Sequence, residues 1–293
     1  MDIYKYLSIK DGNIQSNNGI FAMSASIGLD AEVVPMGADF MRAINRCEDA
    51  ISMSILPSGK LKIKSGKFSA SINCSTGIFP RLVPEGQVFD LNLKLGEELV
   101  DLKGFLQEDN DHLWASGVLI DGQSAKATNN IVVVEKWLSK ALPFKANLPV
   151  PTIKCLIDMQ LEVTKVLVTG HRITFFFKDD KWLSSSLILA EWFDTDALLS
   201  AASTQEEIPQ EVRDAVKNLK AKNTLLHIAD EAISDGTMEY AVGALGWAQQ
   251  TYSSESLNAV LDVATTMDLS GDGSTSIFYG NSLRGVIARR STK

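Results

Sequence analysis

Residues 61–82, LKIKSGKFSASINCSTGIFPRL, are the segment from which the fold can be inferred. Apolar and polar residues alternate in LKIKS and again in FSASI, and this period of two predicts two successive strands. After the second strand the segment ends in IFPRL, and a related ending, AEWFD, occurs at residues 190–194. Similar endings at two places in one chain indicate an internal repeat.

Three hairpin-like segments support this interpretation. They occupy residues 6–27, 118–134 and 225–242, and each consists of an apolar strand, a turn of the Asp-Gly type and a second apolar or alternating strand. Asp-Gly between such strands is typical of a β-hairpin. The sequence therefore predicts three copies of one hairpin.

A short helix and more strands follow each hairpin. The helices begin near Pro35, Pro149 and Ser253, and their apolar residues recur every three or four positions. The distance from Pro35 to Phe79 is 44 residues, and the same 44 residues separate Pro149 from Phe193. This equal spacing predicts that the first two units fold alike.

Further helices are predicted ahead of the second and third hairpins, at residues 96–107 and 209–222. No such helix precedes the first hairpin, so the chain has five helix-bearing halves out of six. The sequence predicts an α+β fold of repeated βαβββ halves, arranged as three domains at residues 1–87, 88–194 and 195–293.

Composition limits the possible functions. The chain has 293 residues, of which 45% are hydrophobic and 22% charged, as is usual for globular domains. A net charge of −8 argues against a protein that coats nucleic acid, although one basic surface on an acidic body remains compatible with it. With no secretory signal and no run of about 20 apolar residues, we expect a cytoplasmic protein with no membrane partner.

Residues that could support catalysis or hold a metal are dispersed. The cysteines and histidines lack the spacing of a zinc site or of a disulfide framework: Cys47, Cys74, Cys155, His112, His171 and His227. The sequence contains no phosphate-binding loop, no G-x-S-x-G and no HExxH motif. We therefore predict no catalytic residue, no metal and no cofactor.

Two βαβββ halves per domain and three domains per chain resemble the bacterial DNA sliding clamp, the β subunit of DNA polymerase III. Residues 61–82 are similar to the family segment LxIKSGRxxFxLxTxxxxDFPxL. Residues 178–194, KDDKWLSSSLILAEWFD, are similar to the end of its second domain, and residues 115–130 to its second-domain hairpin. The resemblance covers nearly the whole chain. It implies a ring with helices inside and sheets outside, and a non-enzymatic processivity factor for DNA replication.

Two features depart from the family pattern. The family's first strand and helix have no counterpart before the first hairpin, as in a trimmed variant of the kind a phage encodes, or in a chain whose start is not the native one. The family sequence Asp-Gly-His-Arg-Leu is replaced by TNNIV at residues 128–132. A Gly-His-Arg tripeptide occurs at residues 170–172, in the other half of the domain.

The resemblance implies three sets of functional residues. Basic side chains on helices would face duplex DNA without reading its sequence: Arg42, Arg46, Lys103, Lys154, Arg213, Lys217, Lys220 and Lys222. An apolar groove would bind peptides of a DNA polymerase and other partners: Ala115, Thr128, Asn130, Ile131, Val132, Val286, Ile287 and Ala288. A subunit interface would join two sets of apolar residues: Phe68, Ala70 and Ile72 with Val212, Val216 and Leu219.

Each set also has a structural alternative. The basic residues could be solvated helix faces, and the groove residues could be strand core. The implied partners are duplex DNA, a polymerase, a clamp loader as a further candidate, and other copies of the chain in a dimeric or trimeric ring. The competing hypothesis is a structural or assembly protein that uses the same repeat without encircling DNA.

Overall fold

The computed structural model describes residues 3–29, 31–201, 203–269 and 273–290. The chain divides into two compact units. Unit 1 consists of Met1–Lys94 and Leu161–Leu187, and unit 2 of Leu95–Gln160 and Ile188–Lys293. Residues 88–194 thus contribute to both units, and the division into three domains stays a prediction.

In unit 1 the described residues form twelve strands, α1 and one 3-10 turn. The strands are β1 Ser8–Lys10, β2 Asn13–Asn17, β3 Phe21–Ser26, β4 Val34–Pro35, β5 Ile51–Ile55, β6 Leu61–Ser65, β7 Phe68–Ile72, β8 Cys74–Ser75, β9 Gln87–Leu93, β14 Val163–Val168, β15 Arg172–Phe176 and β16 Trp182–Ser186. Helix α1 is Gly37–Ile44, and the 3-10 turn is Ile3–Lys5.

Unit 2 contains the remaining elements of the described chain. Its strands are β10 Gly117–Asp121, β11 Ser124–Thr128, β12 Val132–Trp137, β13 Lys145–Pro149, β17 Glu206–Glu207, β18 Leu225–Ile228, β19 Ala232–Ser234, β20 Glu239–Ala241, β21 Gln250–Ser253, β22 Ala264–Met267, β23 Thr275–Gly280 and β24 Leu283–Ala288. Its helices are α2 Leu95–Leu99, α3 Val150–Met159, α4 Asp196–Leu199, α5 Gln210–Asn218 and α6 Ser254–Val263, with 3-10 segments at Val100–Phe105 and Leu113–Ala115.

The largest sheets of the two units share one strand order. In unit 1 the order is β1-β2-β3-β16-β15-β14-β9, and in unit 2 it is β10-β11-β12-β24-β23-β22-β17, with β13 added beside β10. In both sheets a strand from the early part of the unit pairs with one from much later, β3 with β16 and β12 with β24. The repeat inferred from the sequence is therefore visible in the sheet topology.

The predicted helices are present with small changes of length. Residues 96–107 form α2 followed by a 3-10 segment, and residues 209–222 form the shorter α5. Helices α2 and α3 pack so closely that a Cβ atom on Gly96 would collide with the carbonyl oxygen of Leu156. Glycine at this position permits the approach, since it has no side chain. In the described residues, no helix has the length and apolar character needed to cross a bilayer.

Among the strands that were not predicted, two are largely polar and lie inside the hairpin segments. Strand β2 lies inside the first hairpin segment, and β11 lies inside the second. Each is the middle strand of a three-stranded meander, so its polar residues are paired on both sides. The hairpins of the sequence are therefore meanders in the structure.

Candidate functional site

A groove with a volume of about 330 Å³ lies in unit 2, over the junction of β12 and β24. Among the residues that the structure describes, its lining contains no lysine, arginine, aspartate or glutamate: His112, Trp114, Thr128, Asn130, Ile131, Val133, Phe193, Leu198, Thr275, Val286 and Ala288. Apolar grooves with a few polar groups are typical binding sites for small ligands and peptide side chains.

The register of the sheet determines which side chains form the floor. Val133 on β12 is paired with Thr128 on β11 and with Val286 on β24, and all three line the groove. Successive side chains of a strand point to opposite faces. Val132 and Ile287 therefore point into the core, where both are fully buried.

Three of the predicted groove residues do not line it. Val132 and Ile287 lie on the other face of the sheet, and Ala115 is buried in the 3-10 segment before β10. Thr128, Asn130, Ile131, Val286 and Ala288 do lie together in the lining, as predicted. Their role in binding stays a prediction.

The turn that replaces the family's Asp-Gly-His-Arg-Leu is held by its own side chains. The carboxamide oxygen of Asn129 accepts hydrogen bonds from the N–H groups of Ile131 and Val132, at 3.1 and 2.8 Å. The hydroxyl of Thr128 donates to the carbonyl of Val132 at 2.7 Å. Asparagine and threonine commonly form such local turns. The turn consequently presents Ile131 and Asn130 to the groove.

Aromatic side chains form one wall of the groove, which was not predicted. The ring of Trp114 lies 5.6 Å from that of His112, 5.0 Å from that of Trp192 and 5.1 Å from that of Phe193. In the sequence, the Trp-Phe dipeptide marks only the end of a repeat. Because its partner Trp114 lies 78 residues earlier in the chain, no local pattern connects them.

Seven of the eight predicted DNA-facing residues are exposed, all except Arg213. Some of them have a carboxylate nearby: Arg42 lies 3.5 Å from Asp39, and Lys154 lies 2.6 Å from Glu108. In the described part of the chain, Lys217 and Lys220 on and just after α5 have no ion-pair partner. Exposed cations of this kind can contact phosphates.

Arg213 makes contacts within the chain, and its assignment to the DNA-facing surface stays a prediction. Its guanidinium is partly buried and donates hydrogen bonds to the carbonyl oxygens of Leu261 and Ala264, at the end of α6. The last carbonyls of a helix lack partners within the helix, so a cation there stabilises it. The spacing of Arg213 and Lys217 along α5 could not reveal this contact.

Most of the side chains predicted for the subunit interface are buried or packed within this chain. Val212, Val216 and Leu219 are buried in unit 2. In unit 1, Ile72 is buried and Phe68 is packed against the same core cluster as Phe40. Both sets therefore contribute to the core of their own unit, and the subunit interface between them stays a prediction.

Strand edges and charge remain available for association. Strand β7 ends the sheet β5-β6-β7, and β20 ends the sheet β20-β19-β18-β21, so each has one edge without a partner strand in the described residues. Residues 60–72 contain four lysines and no carboxylate, whereas residues 230–241 contain four carboxylates and no basic residue.

One of these carboxylates is held in its charged form. Asp235 accepts hydrogen bonds from the N–H groups of Met238 and Thr237, at 2.7 and 2.8 Å, and these bonds lower the pKa of Asp235. Hydrogen bonds to a carboxylate favour its ionised state. The hairpin β19–β20 is therefore a persistently acidic element next to a free strand edge.

Comparison with known proteins gave a match in structure alone. No protein-family model and no curated protein matches the sequence. The β subunit of DNA polymerase III from Thermotoga maritima superposes with a TM-score of 0.80 at 16% identity, covering 100% of this chain and 92% of that one. The DNA polymerase sliding clamp from Bacillus subtilis gives 0.79 at 15% identity, with coverages of 99% and 92%. The chain has the sliding-clamp fold.

The sliding-clamp fold extends over the whole chain. The β subunit from Pseudomonas aeruginosa likewise matches with a TM-score of 0.79 at 13% identity, covering 99% of this chain and 94% of that one. The predicted α+β fold class and the resemblance to the bacterial clamp are thus confirmed. In the described residues, no three His, Cys, Asp or Glu side chains cluster as a metal site would require.

The contact made by Arg213 within the sliding-clamp fold yields a stability prediction. Replacement of Arg213 by methionine should lower the free energy of unfolding by about 2 kcal/mol, since it removes charged donors from two carbonyls. Replacement of Lys217, which is exposed on the same helix, should change the free energy of unfolding by no more than about 0.5 kcal/mol. Urea denaturation of both variants measures the difference, and equal stability would contradict the capping role.

Proposed function

We propose that the chain is a DNA sliding clamp, a ring that encircles duplex DNA and holds a polymerase on it. The observation that carries this proposal is the match in fold over this whole chain and 92% of the bacterial DNA polymerase III β subunit and sliding clamp. A ring works by topology: once it is closed, weak phosphate contacts allow sliding while closure prevents escape. Such a protein acts in the cytoplasm, and a clamp loader that opens the ring is a further proposed partner.

The acidic net charge favours a second candidate, a clamp-like assembly protein that does not encircle DNA. Helix α6 carries Glu255 and Asp262 and no basic residue, so it offers nothing to phosphates. The two candidates differ in native mass. A ring requires a discrete dimer or trimer, whereas a monomer in sedimentation analysis would support the assembly protein.

Ring closure is proposed to join β7 of one copy to β20 of the next. Within the part of the chain that the structure describes, both edges are unpaired. One hairpin is basic and the other acidic, and unlike surfaces of this kind assemble head to tail. Edge pairing would also protect both strands from uncontrolled aggregation. Complementary charge selects the correct partner edge and disfavours the pairing of like edges.

Charge reversal tests this interface. Lys64→Glu with Lys67→Glu should convert the ring to monomers at micromolar concentration, because close charge pairs across interfaces contribute about 1.5 kcal/mol or more. Combination with Glu231→Lys and Glu239→Lys should restore the ring mass. A matched control replaces Lys178 and Lys181, which lie outside both hairpins. Retention of the wild-type mass by the first variant would refute the interface.

The DNA-facing surface is proposed to include the exposed basic residues of α1 and α5. A quadruple variant carries glutamate at Arg42, Arg46, Lys217 and Lys220. Each lost phosphate contact should reduce the slope of log affinity against log salt by about 0.9, with no change in sequence preference. Binding to nicked circular DNA between 50 and 200 mM salt, about the range in which such contacts dominate, provides the measurement.

A control for the DNA variant has the same change of net charge. It carries glutamate at four lysines of strands and turns, of which Lys145 and Lys178 are exposed and Lys10 and Lys181 are partly exposed. If both variants lose the same slope, the effect is general electrostatics and the helix surface is not the DNA site. An unchanged slope in the quadruple variant would mean that its four residues face bulk solvent.

The groove in unit 2 is proposed to bind peptides of the polymerase and other partners. Its floor is apolar, one wall is aromatic, and Phe193 and Leu198 remain 43% and 42% exposed, ready to be covered. A few apolar anchors in a preformed pocket usually supply most of the binding energy. The lack of charge in the lining favours anchors that are themselves apolar.

Replacement of Leu198 by aspartate should therefore abolish capture of the cognate polymerase while the ring mass is unchanged. The side chain is exposed, so the substitution leaves the core intact, and it places an unpaired charge where an apolar anchor would be buried. Leu189→Asp is the matched control, since Leu189 is 69% exposed and lies outside the groove. Normal capture by an assembled Leu198→Asp ring would show that the polymerase binds elsewhere.

A further inference from the structure

A row of charged residues lies beside the apolar floor of the groove, on the same face of the sheet. Lys126 on β11, Glu135 on β12 and Arg284 on β24 are register partners, two positions along from Thr128, Val133 and Val286. The Glu135 side chain is only 6% exposed. It accepts hydrogen bonds from Nε and Nη2 of Arg284 at 2.8 and 2.7 Å, and from the hydroxyl of Ser124 at 2.6 Å. We call Lys126, Glu135 and Arg284 the charged row.

The two cations of the charged row reach beyond the sheet to α4. Lys126 Nζ lies 3.6 Å from Glu135 and donates to Thr195 Oγ1 at 3.0 Å and to Asp196 Oδ1 at 3.1 Å, at the start of α4. Arg284 Nη1 donates to the carbonyl of Leu199 at 3.3 Å, at its end. Both ends of this helix are thus tied to side chains that converge on one carboxylate.

Helix α4 needs such support because it is short. Four residues complete barely one turn, and an isolated turn is unstable in water. Leu199 is buried against Ile277 and Val286, while the neighbouring Leu198 lines the groove. The position of α4 over the sheet therefore determines where the Leu198 wall of the groove stands.

We propose that Glu135 is a positioning residue for the groove. Glu135 itself does not line the groove. It holds Lys126 and Arg284 in place, these two side chains hold α4, and the position of α4 determines where Leu198 stands in the groove wall. Loss of the carboxylate removes the charge that Lys126 and Arg284 share and leaves these two part-buried cations close together, with the exposed Asp196 still paired to Lys126. The cations then repel each other and loosen the helix. The effect on partner binding rests on the proposed function of the groove, whereas the position of α4 does not.

Hydrogen exchange of α4 tests the tether directly. The N–H groups of Leu199 and Ser200 are bonded to the carbonyls of Thr195 and Asp196 at 3.0 and 2.9 Å, so their exchange reports opening of this turn. Glu135→Gln keeps the size of the side chain and should accelerate their exchange about tenfold relative to the wild type. Unchanged exchange at these two amides would overturn the proposal.

A matched control separates positioning from general destabilisation. Asp101→Asn breaks the ion pair between Asp101 and Lys136, 2.7 Å long, on the same strand as Glu135 and away from α4. The side chains of Lys136 and Asp101 are 10% and 36% exposed, so a part-buried ion pair is lost in this variant too. Exchange in α4 should stay within about twofold of the wild type. Equal acceleration of exchange in both variants would show that Glu135 stabilises the protein in general and does not position α4.

Thr195→Val provides a second variant if Glu135→Gln does not fold. It removes one hydrogen bond from Lys126 and leaves the pair between Glu135 and Arg284 intact, and Thr195 is buried, so valine fills the same space. Exchange at Leu199 should accelerate by about threefold, because only one of the tethers is lost. No acceleration would show that the hydrogen bond from Lys126 to Thr195 does not hold the helix.

Capture of the cognate polymerase gives the binding readout. Glu135→Gln should weaken capture about tenfold, and Asp101→Asn should not. Normal capture despite faster exchange would overturn the link between α4 and the groove. If the wild type captures no polymerase, the proposed function fails, and the exchange rates alone then decide whether Glu135 positions α4.

Discussion

Backbone hydrogen bonding between β12 and β24 is the constraint on which the candidate site depends. It joins residues far apart in the sequence into one sheet and fixes their register, so that Val133 lies opposite Val286 and Glu135 opposite Arg284. The apolar pair forms the floor of the groove and the charged pair holds its wall. A shift of one residue would exchange these side chains with the fully buried Val132 and Val134, and would place a carboxylate in the core.

Much of the fold could be predicted from the sequence, because the information is local. Alternation in residues 61–72, helical spacing after Pro149 and Asp-Gly turns each act over a few residues, and their order matches the structure. The polar middle strands were missed for the same reason. Strand β11 has small and polar side chains, and its place is decided by neighbours on both sides rather than by its own pattern.

The candidate site was only partly predictable. Five residues of the groove lining were identified through the resemblance. The sequence does not reveal which face of the sheet each residue of a strand points to, so Val132 and Ile287 were assigned to the groove although both are buried on the opposite face. Arg213 shows the same limit, since its partners lie about 50 residues later in the chain. Long-range pairing decides which side chains become surface, and it leaves no trace in local periodicity.

The distance between β12 and β24 along the chain has a consequence for synthesis. Glu135 and Arg284 are 149 residues apart. At a translation rate of about 5–20 residues per second, β12 leaves the ribosome roughly 7–30 s before its partner strand exists. During that time its Val-rich edge has nothing to pair with, and the same holds for β3 until β16 appears. The newborn chain is therefore most vulnerable to self-association after β3 and β12 are made and before their partner strands are made. The yield of folded protein should depend on how quickly chaperones cover the unpaired edges of β3 and β12.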